Sequence, residues 1–201
     1  IWLDDLGFRE YYERLCGRSD WHSADRKFFL RSLLRLADGL EGDTAECGAY
    51  KGASSYLICE HFAAAAKLHH VFDSFEGLSS PGLADGQYWK AGDLTSGDDV
   101  LRRSLSAFPN LRVYPGWIPS RFGEVENSRF CFVHIDVDLH DPTLQSLEFF
   151  YPRMVPGGVL LFDDYGFSSC PGARQATDEF MRGRPEGLVH VPTGQAFVVK
   201  R

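Results

Sequence analysis

Two pairs of aspartates stand where apolar runs end: Asp136-Val137-Asp138 follows the run at 130–135, and Asp163-Asp164 follows the run at 159–162. In the first run the side chains alternate strictly, so an extended chain would put His134, Asp136, Asp138 and His140 on one face. Carboxylates held that close repel one another unless a cation or a hydrogen-bond network compensates. If both runs are parallel strands, their ends open on the same sheet edge, where doubly wound folds bind ligands. Carboxylates converging there form a hard-oxygen site suited to Mg2+, Mn2+ or Ca2+. The plainer reading, aspartates as helix caps and loop formers, suits isolated residues better than two pairs on adjacent strand ends. His134, inside its run, is expected to be a buried, hydrogen-bonded side chain and not a ligand.

A second constellation lies earlier. Glu46-Cys47-Gly48-Ala49-Tyr50-Lys51-Gly52-Ala53-Ser54 joins an apolar run to a helical pattern, a place where backbone N–H groups and the positive helix end favour an anionic ligand group. Its E-x-G-x-x-x-G-x-S spacing departs from both the dinucleotide fingerprint and the P-loop, which argues against NAD and ATP. A tight structural turn would account for the same glycines. The next run ends in Phe72-Asp73-Ser74-Phe75. An acidic residue roughly twenty positions beyond a glycine loop can bind a ribose diol, though Asp73 would equally serve as a turn former. Pro115-Gly116-Trp117 ends the third run, and Trp117 offers its face to adenine or to the core.

These residues need a scaffold that brings strand ends together. From Asp43 onward short apolar runs alternate with helical patterns, the signature of βαβ units and a mostly parallel sheet. Strands are predicted over 44–48, 70–74, 111–114, 129–136 and 159–163, and helices over 53–68, 98–107, 142–153 and 173–182. Asp141-Pro142 reads as a helix start and Pro156-Gly157-Gly158 as a stop followed by a turn. Runs 188–191 and 195–199 flank Pro192-Thr193-Gly194 and predict a terminal antiparallel hairpin. Two helical patterns, 3–15 and 24–36, precede the repeating part. The second has Phe28, Phe29, Leu33, Leu34 and Ala37 as its apolar face. The irregular stretch 76–95 is either a functional loop or a surface one.

With 201 residues, the chain reads as a single domain, 1–201, in which 1–40 is a helical cap or lid and 41–201 the α/β core. Apolar residues at 44% and charged residues at 24% suffice for a core and a solvated surface. The net charge of -7, without a Lys/Arg run, argues against nucleic acid. No apolar run is long enough to cross a bilayer, and Asp4 and Asp5 stand where a signal peptide would be basic. Five scattered cysteines without a C-x-x-C pair suggest a reduced, cytoplasmic protein. The chain opens on Ile1, which leaves room for residues before it.

Taken together, ECGAYKGASS at 46–55, FDSFEGL at 72–78, HIDVDLHDPTLQSLEFFYPRMVPGGVLLFDDYG at 134–166 and CPGARQATDEF at 170–180 resemble the macrocin O-methyltransferase family, whose members methylate sugar hydroxyls of natural products. The likeness runs from about Gly42 to Lys200. The first segment also looks like the cofactor loop of catechol O-methyltransferases. The resemblance implies a Rossmann-like class I methyltransferase fold, with seven strands once the hairpin joins the five parallel ones and with helices on both faces. It implies Asp136, Asp163 and Asp164 as ligands of Mg2+ or another hard dication and Asp138 as general base. S-adenosylmethionine would be held by Gly48, Ser54 and Asp73, with Glu46, Tyr50, Gly52, Ser74, Trp117 and Asp136 completing the cofactor side. The implied partner is a small hydroxylated acceptor, a sugar or glycoside, with a homodimer left open. Phe75, Tyr88, Trp89, Trp117 and Tyr165 are candidates to cover its ring. His140 and Ser79 stand where the family usually has Tyr and Pro, and the region before the cofactor motif, where the family builds much of its substrate lid, is short. Three rivals remain: a glycosyltransferase using Asp136-x-Asp138, a non-haem iron oxygenase using His134-x-Asp136, and a non-catalytic S-adenosylmethionine-binding module.

Overall fold

The computed structural model describes residues 2–17 and 23–201. Residues 1 and 18–22, part of the expected N-terminal cap, lie outside the described residues. Seven strands form one sheet: β1 (Asp43–Cys47), β2 (His69–Asp73), β3 (Leu111–Pro115), β4 (Phe130–Ile135), β5 (Met154–Phe162), β6 (Val189–His190) and β7 (Ala196–Val199). Their order is β3-β2-β1-β4-β5-β7-β6. The first five run parallel, and β7 pairs antiparallel with β5 and with β6. This is the α/β architecture expected, with the hairpin supplying the sixth and seventh members. The strand order reverses between β1 and β4, so the crevice that open α/β sheets use for ligands lies above their carboxyl ends.

Period-2 side-chain alternation divides the core between the two sheet faces. Val133, Ile135, Leu160 and Phe162 pack with Leu147 and Phe150 of α5 (His140–Phe150) and with Phe180 of α6 (Pro171–Met181). Phe132, Val159 and Leu161 pack instead with α1 (Leu6–Leu15), α2 (Ala24–Leu33) and α3 (Ala53–His61), through Phe8, Leu30, Leu57 and Ile58. A further helix, α4 (Asp98–Ser104), covers Val71 of β2 with Leu101. The N-terminal helices are tied to the sheet layer by the Tyr11 hydroxyl, which donates to Ala53 O at 2.8 Å. No helix among the described residues is long and apolar enough to cross a membrane.

Several boundaries differ from the sequence expectation, each for a local reason. Helix α3 stops at His61, seven residues early, because the chain must turn to bring His69 into register with Thr44. Helix α5 begins at His140, ahead of Asp141-Pro142, because the carboxylate of Asp85 accepts the His140 N–H at 2.6 Å and serves as a cap from a distant segment. Pro156-Gly157-Gly158 does not precede β5 but lies within it. There Gly157, at φ 84, donates to Lys200 O at 2.7 Å, Gly158 O accepts from Lys200 N–H at 2.8 Å, and the β4–β5 register shifts. Strand β4 ends at Ile135, which alters the geometry of the acidic residues that follow.

Candidate functional site

The carboxyl ends of β1, β2, β4 and β5 border a cavity of about 570 Å³. Gly48, Ala49, Tyr50 and Ser54 line one side, Asp73, Ser74, Trp117 and Ile118 another, and Asp136, Asp138 and Asp164 the acidic end. Segment 76–95 supplies Gly77, Leu78, Ser79, Trp89 and Leu94, so it takes part in the site and is not merely a surface loop. Besides capping α5, Asp85 accepts the Gly82 N–H at 2.7 Å, which anchors this segment over the cavity. Tyr50, Leu94 and Asp138 line the cavity and Phe75 adjoins it in sequence; these four are the non-glycine residues with positive φ among the described residues. Unfavourable backbone conformations clustered in this way mark a site whose surroundings over-determine it.

On the β1 side, a Cβ at Gly48 would fall 1.8 Å from the carbonyl oxygen of Asp136, so the close approach of two strand ends already demands this glycine. Asp73 accepts the N–H groups of Ala49 at 2.7 Å and Tyr50 at 2.9 Å through Oδ2, and that of Phe75 at 2.7 Å through Oδ1. The turn-forming role is therefore filled, yet a carboxylate has about four lone-pair sites, which leaves capacity for a ribose hydroxyl. The Ser74 hydroxyl donates to Gly77 O at 2.9 Å and braces the neighbouring segment. Trp117 stands at the rim, 41% exposed.

Two residues expected to hold the cofactor are not brought to the cavity. Gly52 is the N-cap of α3, with φ 87, and packs toward Leu101 and Leu105. Glu46 is fully buried beneath the loop, where it accepts from Ser55 and from His134 Nδ1 at 2.9 Å. The second nitrogen of His134 faces Asp163 Oδ1 at 3.1 Å. Carboxylates can only accept, so both ring nitrogens carry protons. Burial opposes that charge, but the hydrogen bonds to Asp163 and Glu46 overcome it and raise His134 to about 9. Burial likewise opposes the Glu46 charge, and the hydrogen bond from His134, with His69 3.6 Å away, holds it at about 2. His134 is thus the buried, hydrogen-bonded residue the sequence suggested.

At the acidic end the alternation does not persist past Ile135. Asp138 turns to φ 60, its N–H donates to Asp164 Oδ2 at 3.0 Å, and the Cys170 thiol donates to its Oδ1 at 3.4 Å. His140 leaves the strand face altogether and its ring pairs with Asp141 and Glu179. Burial together with the charge on Asp163 pushes Asp136 up to about 6, and burial together with Asp136 pushes Asp138 up to about 7. Burial, then Asp138 and Asp136, pushes Asp164 well above the usual carboxylate range. Crowding of this kind is what a hard dication relieves. The ligand atoms fall into two close groups, His134–Asp136–Asp163 and Asp138–Asp164–Cys170, so the expected triad of Asp136, Asp163 and Asp164 is divided between them.

Helix α2 explains the division. Arg26 Nη1 lies 2.5 Å from Asp163 Oδ2, while Gln195 Nε2 donates to Oδ1 at 2.5 Å, so both oxygens of Asp163 are engaged. Asp163 does not line the cavity, and Arg26 with the other nearby cations keeps it well below the usual range against the effect of burial. Asp136, Asp138 and Asp164, crowded hard-oxygen donors that line the cavity, fit a dication in chemistry, whereas both oxygens of Asp163 are taken by Arg26 and Gln195. The sequence expectation missed Arg26, Lys27, Gln145, Phe167 and Cys170, which also line the cavity. For Lys27 a signal existed: it falls in the stripe of Leu30, Leu34 and Ala37, where the buried face belongs. Among the aromatic candidates, Trp89 and Trp117 line the cavity. Tyr88 is exposed, Phe75 packs toward Val71 and Leu101, and Tyr165 is a core residue whose hydroxyl donates to Asp178 at 2.7 Å.

The family model described as Macrocin-O-methyltransferase (TylF) matches residues 33–191. The chain is similar to 8-demethyl-8-(2,3-dimethoxy-alpha-L-rhamnosyl)-tetracenomycin-C 4'-O-methyltransferase of Streptomyces olivaceus, 30% identical over 163 residues that cover 74% of this chain and 61% of the relative. Mycinamicin III 3''-O-methyltransferase of Micromonospora griseorubida is 28% identical over 163 residues, covering 72% and 62%. The chain spans about three fifths of the length of these curated relatives. Among solved structures, the calicheamicin methyltransferase CalS11 superposes with a TM-score of 0.77 at 16% identity, covering 98% of this chain and 92% of that one. The O-methyltransferase NovP superposes with 0.72 at 22% identity, covering 94% and 88%. These likenesses establish the fold.

Proposed function

This chain belongs to the macrocin O-methyltransferase family, and on that premise we propose that it is an S-adenosylmethionine-dependent O-methyltransferase. The acceptor is a hydroxyl of a sugar or glycosylated natural product, and a divalent cation, Mg2+ in the first place, sits at the acidic end of the cavity. The observation that carries this reading is the meeting, in one cavity, of the Gly48–Asp73 strand ends with Asp136, Asp138 and Asp164. The rhamnosyl group in the name of the Streptomyces olivaceus relative supports a sugar hydroxyl.

When bound, S-adenosylmethionine supplies an electrophilic methyl group, and a dication supplies acidification and orientation of the acceptor hydroxyl. Asp136 and Asp164, with Asp163, would hold the cation. Asp138 takes the hydroxyl proton on its carboxylate, held at φ 60 by the bond from its own N–H to Asp164. Asp73 binds the ribose, and Trp117 stands beside it at the rim. Trp89, Leu78 and Leu94 cover the cavity from the anchored 76–95 segment and help exclude water. Helix α2 borders the cavity through Arg26 and Lys27.

Calorimetry with S-adenosylhomocysteine, UDP-glucose and NAD, each with Mg2+ and with a chelator, tests the reading. S-adenosylhomocysteine should bind, and the two nucleotides should not. Folded protein that binds UDP-glucose and ignores S-adenosylhomocysteine would overturn it in favour of glycosyl transfer.

A further inference from the structure

Trp89 reaches the cavity from the 76–95 segment, and its indole Nε1–H donates to Cys170 Sγ at 3.3 Å. The Cys170 thiol in turn donates to Asp138 Oδ1 at 3.4 Å, and the Ser169 hydroxyl lies 3.5 Å from the same sulfur. An indole N–H can only donate and an ionised carboxylate can only accept, so the bonds run in one direction, from indole to thiol to carboxylate. Cys170 is the N-cap of α6 and is buried, as is Asp138. The same helix start is fitted to the 76–95 segment by a glycine: a Cβ at Gly172 would fall 1.9 Å from Asp85 Oδ1 and 2.9 Å from His140 N, the two atoms whose bond caps α5. The segment, the start of α6 and the start of α5 therefore dock as one unit around the strand end that carries Asp138. The bond from the Asp138 N–H to Asp164 fixes its main chain at φ 60, which leaves the orientation of its carboxylate to the thiol. Among the described residues no hydrogen bond engages Asp138 Oδ2.

We propose that Cys170 and Trp89 are positioning residues for Asp138: the indole holds the thiol, and the thiol holds Oδ1 so that Oδ2 is the oxygen that takes the proton of the acceptor hydroxyl. This rests on the methyltransferase reading, in which Asp138 is the base, and adds the residues that aim it. A thiol is a weak donor, so it orients the carboxylate without drawing off much of the negative charge that a base needs. Because Trp89 belongs to the segment that covers the cavity, the contact that completes this cover is also the one that sets the base. Neither residue touches the proton being transferred, and their effect on turnover passes through the Asp138 carboxylate.

The test is steady-state methyl transfer by the full chain, with Mg2+, S-adenosylmethionine and whichever member of a panel of glycosylated natural products the wild type methylates fastest, alongside calorimetry with S-adenosylhomocysteine and with Mg2+. Cys170→Ala should lower kcat by about tenfold, a part of what a general base supplies, while KM for the acceptor and affinity for S-adenosylhomocysteine stay within about twofold. Cys170→Ser restores an O–H donor and should bring kcat back to within about threefold of the wild type. Trp89→Phe keeps the ring and removes the N–H; it should lower kcat by about threefold, yet the double variant should be no slower than Cys170→Ala, because both changes break one chain. Losses that multiply in the double variant, or kcat, KM and S-adenosylhomocysteine affinity that fall together, would mark the two as packing residues and overturn the proposal. Unchanged kcat in folded Cys170→Ala would overturn it too, and so would a drop in Mg2+ affinity, which would make the thiol a metal ligand. Wild-type protein that ignores S-adenosylhomocysteine and methylates no member of the panel would overturn the methyltransferase reading and, with it, this proposal.

Discussion

Replacing Arg26 with alanine separates the two roles open to Asp163, buried ion-pair partner or metal ligand. The pair is short, 2.5 Å, with side chains 14% and 1% exposed. Unit charges about 4 Å apart at an effective dielectric near 20 attract by about 4 kcal/mol. The partial exposure of the arginine, and the bonds that His134 and Gln195 still make to Asp163, reduce what the variant loses to about 2–3 kcal/mol. Without metal, Arg26→Ala should therefore melt lower than the wild type. In Mg2+ that deficit should close, because a dication no longer has to displace the guanidinium and Mg2+ affinity should rise by about 10–100-fold, each 1.4 kcal/mol being tenfold. Mg2+ calorimetry and melting curves in Mg2+ and in chelator measure both effects. If the folded variant binds Mg2+ no more tightly than the wild type, Arg26 and Asp163 form a permanent structural pair and the metal rests on Asp136 and Asp164 without it.

Asp138→Asn should lower turnover by about 10²–10⁴ while leaving Mg2+ affinity within about twofold. If its Mg2+ affinity instead falls as far as that of Asp164→Ala, Asp138 is a ligand and not the base. Far from the cavity, burial of Glu186 favours the neutral acid, but hydrogen bonds from Lys200 at 2.7 Å and Tyr151 at 2.5 Å prevail and hold it at about 2. A carboxylate with a depressed folded value contributes stability fully above its ordinary 4.5, and loses that contribution as pH falls through about 2. Glu186→Gln should thus cost about 1–3 kcal/mol near pH 7, and the difference from wild type should shrink below about pH 4.5. Denaturant titrations across that range check the sign, and a difference that grows on acidification would contradict it.

Whatever obeys short-range periodicity was legible in the residues. The alternating run of β4 and the continuous apolar run of β5 predict strands whose ends carry the aspartates, and Asp136, Asp138 and Asp164 at those ends do share the cavity. The alternation misled beyond Ile135, because a bond from the Asp138 N–H to Asp164, a residue of another strand end, turns the backbone to φ 60 and breaks the period. The resemblance puts Glu46 on the cofactor side, but the structure buries it against His134, which is distant in sequence. The two glycines of that motif divide: Gly48 is required by the Asp136 carbonyl pressing on it, and Gly52 by the turn into α3. Arg26 and Lys27 went unread because their meaning depends on where α2 docks. Phe28 and Phe29, which the sequence placed on its apolar face, are only half-buried, while Lys27 points inward.

The most direct test of the account is transfer of a methyl group. The full chain would be incubated with S-adenosylmethionine labelled in its methyl group and a panel of glycosylated natural products, free sugars and catechols, in Mg2+ and in chelator, with the label followed into product by mass spectrometry. The account predicts label on a hydroxyl oxygen of a glycosylated acceptor that has a neighbouring oxygen, dependent on Mg2+ and lost in Asp138→Asn. Transfer at full rate in chelator to an acceptor with a single isolated hydroxyl would contradict the role assigned to the acidic end of the cavity.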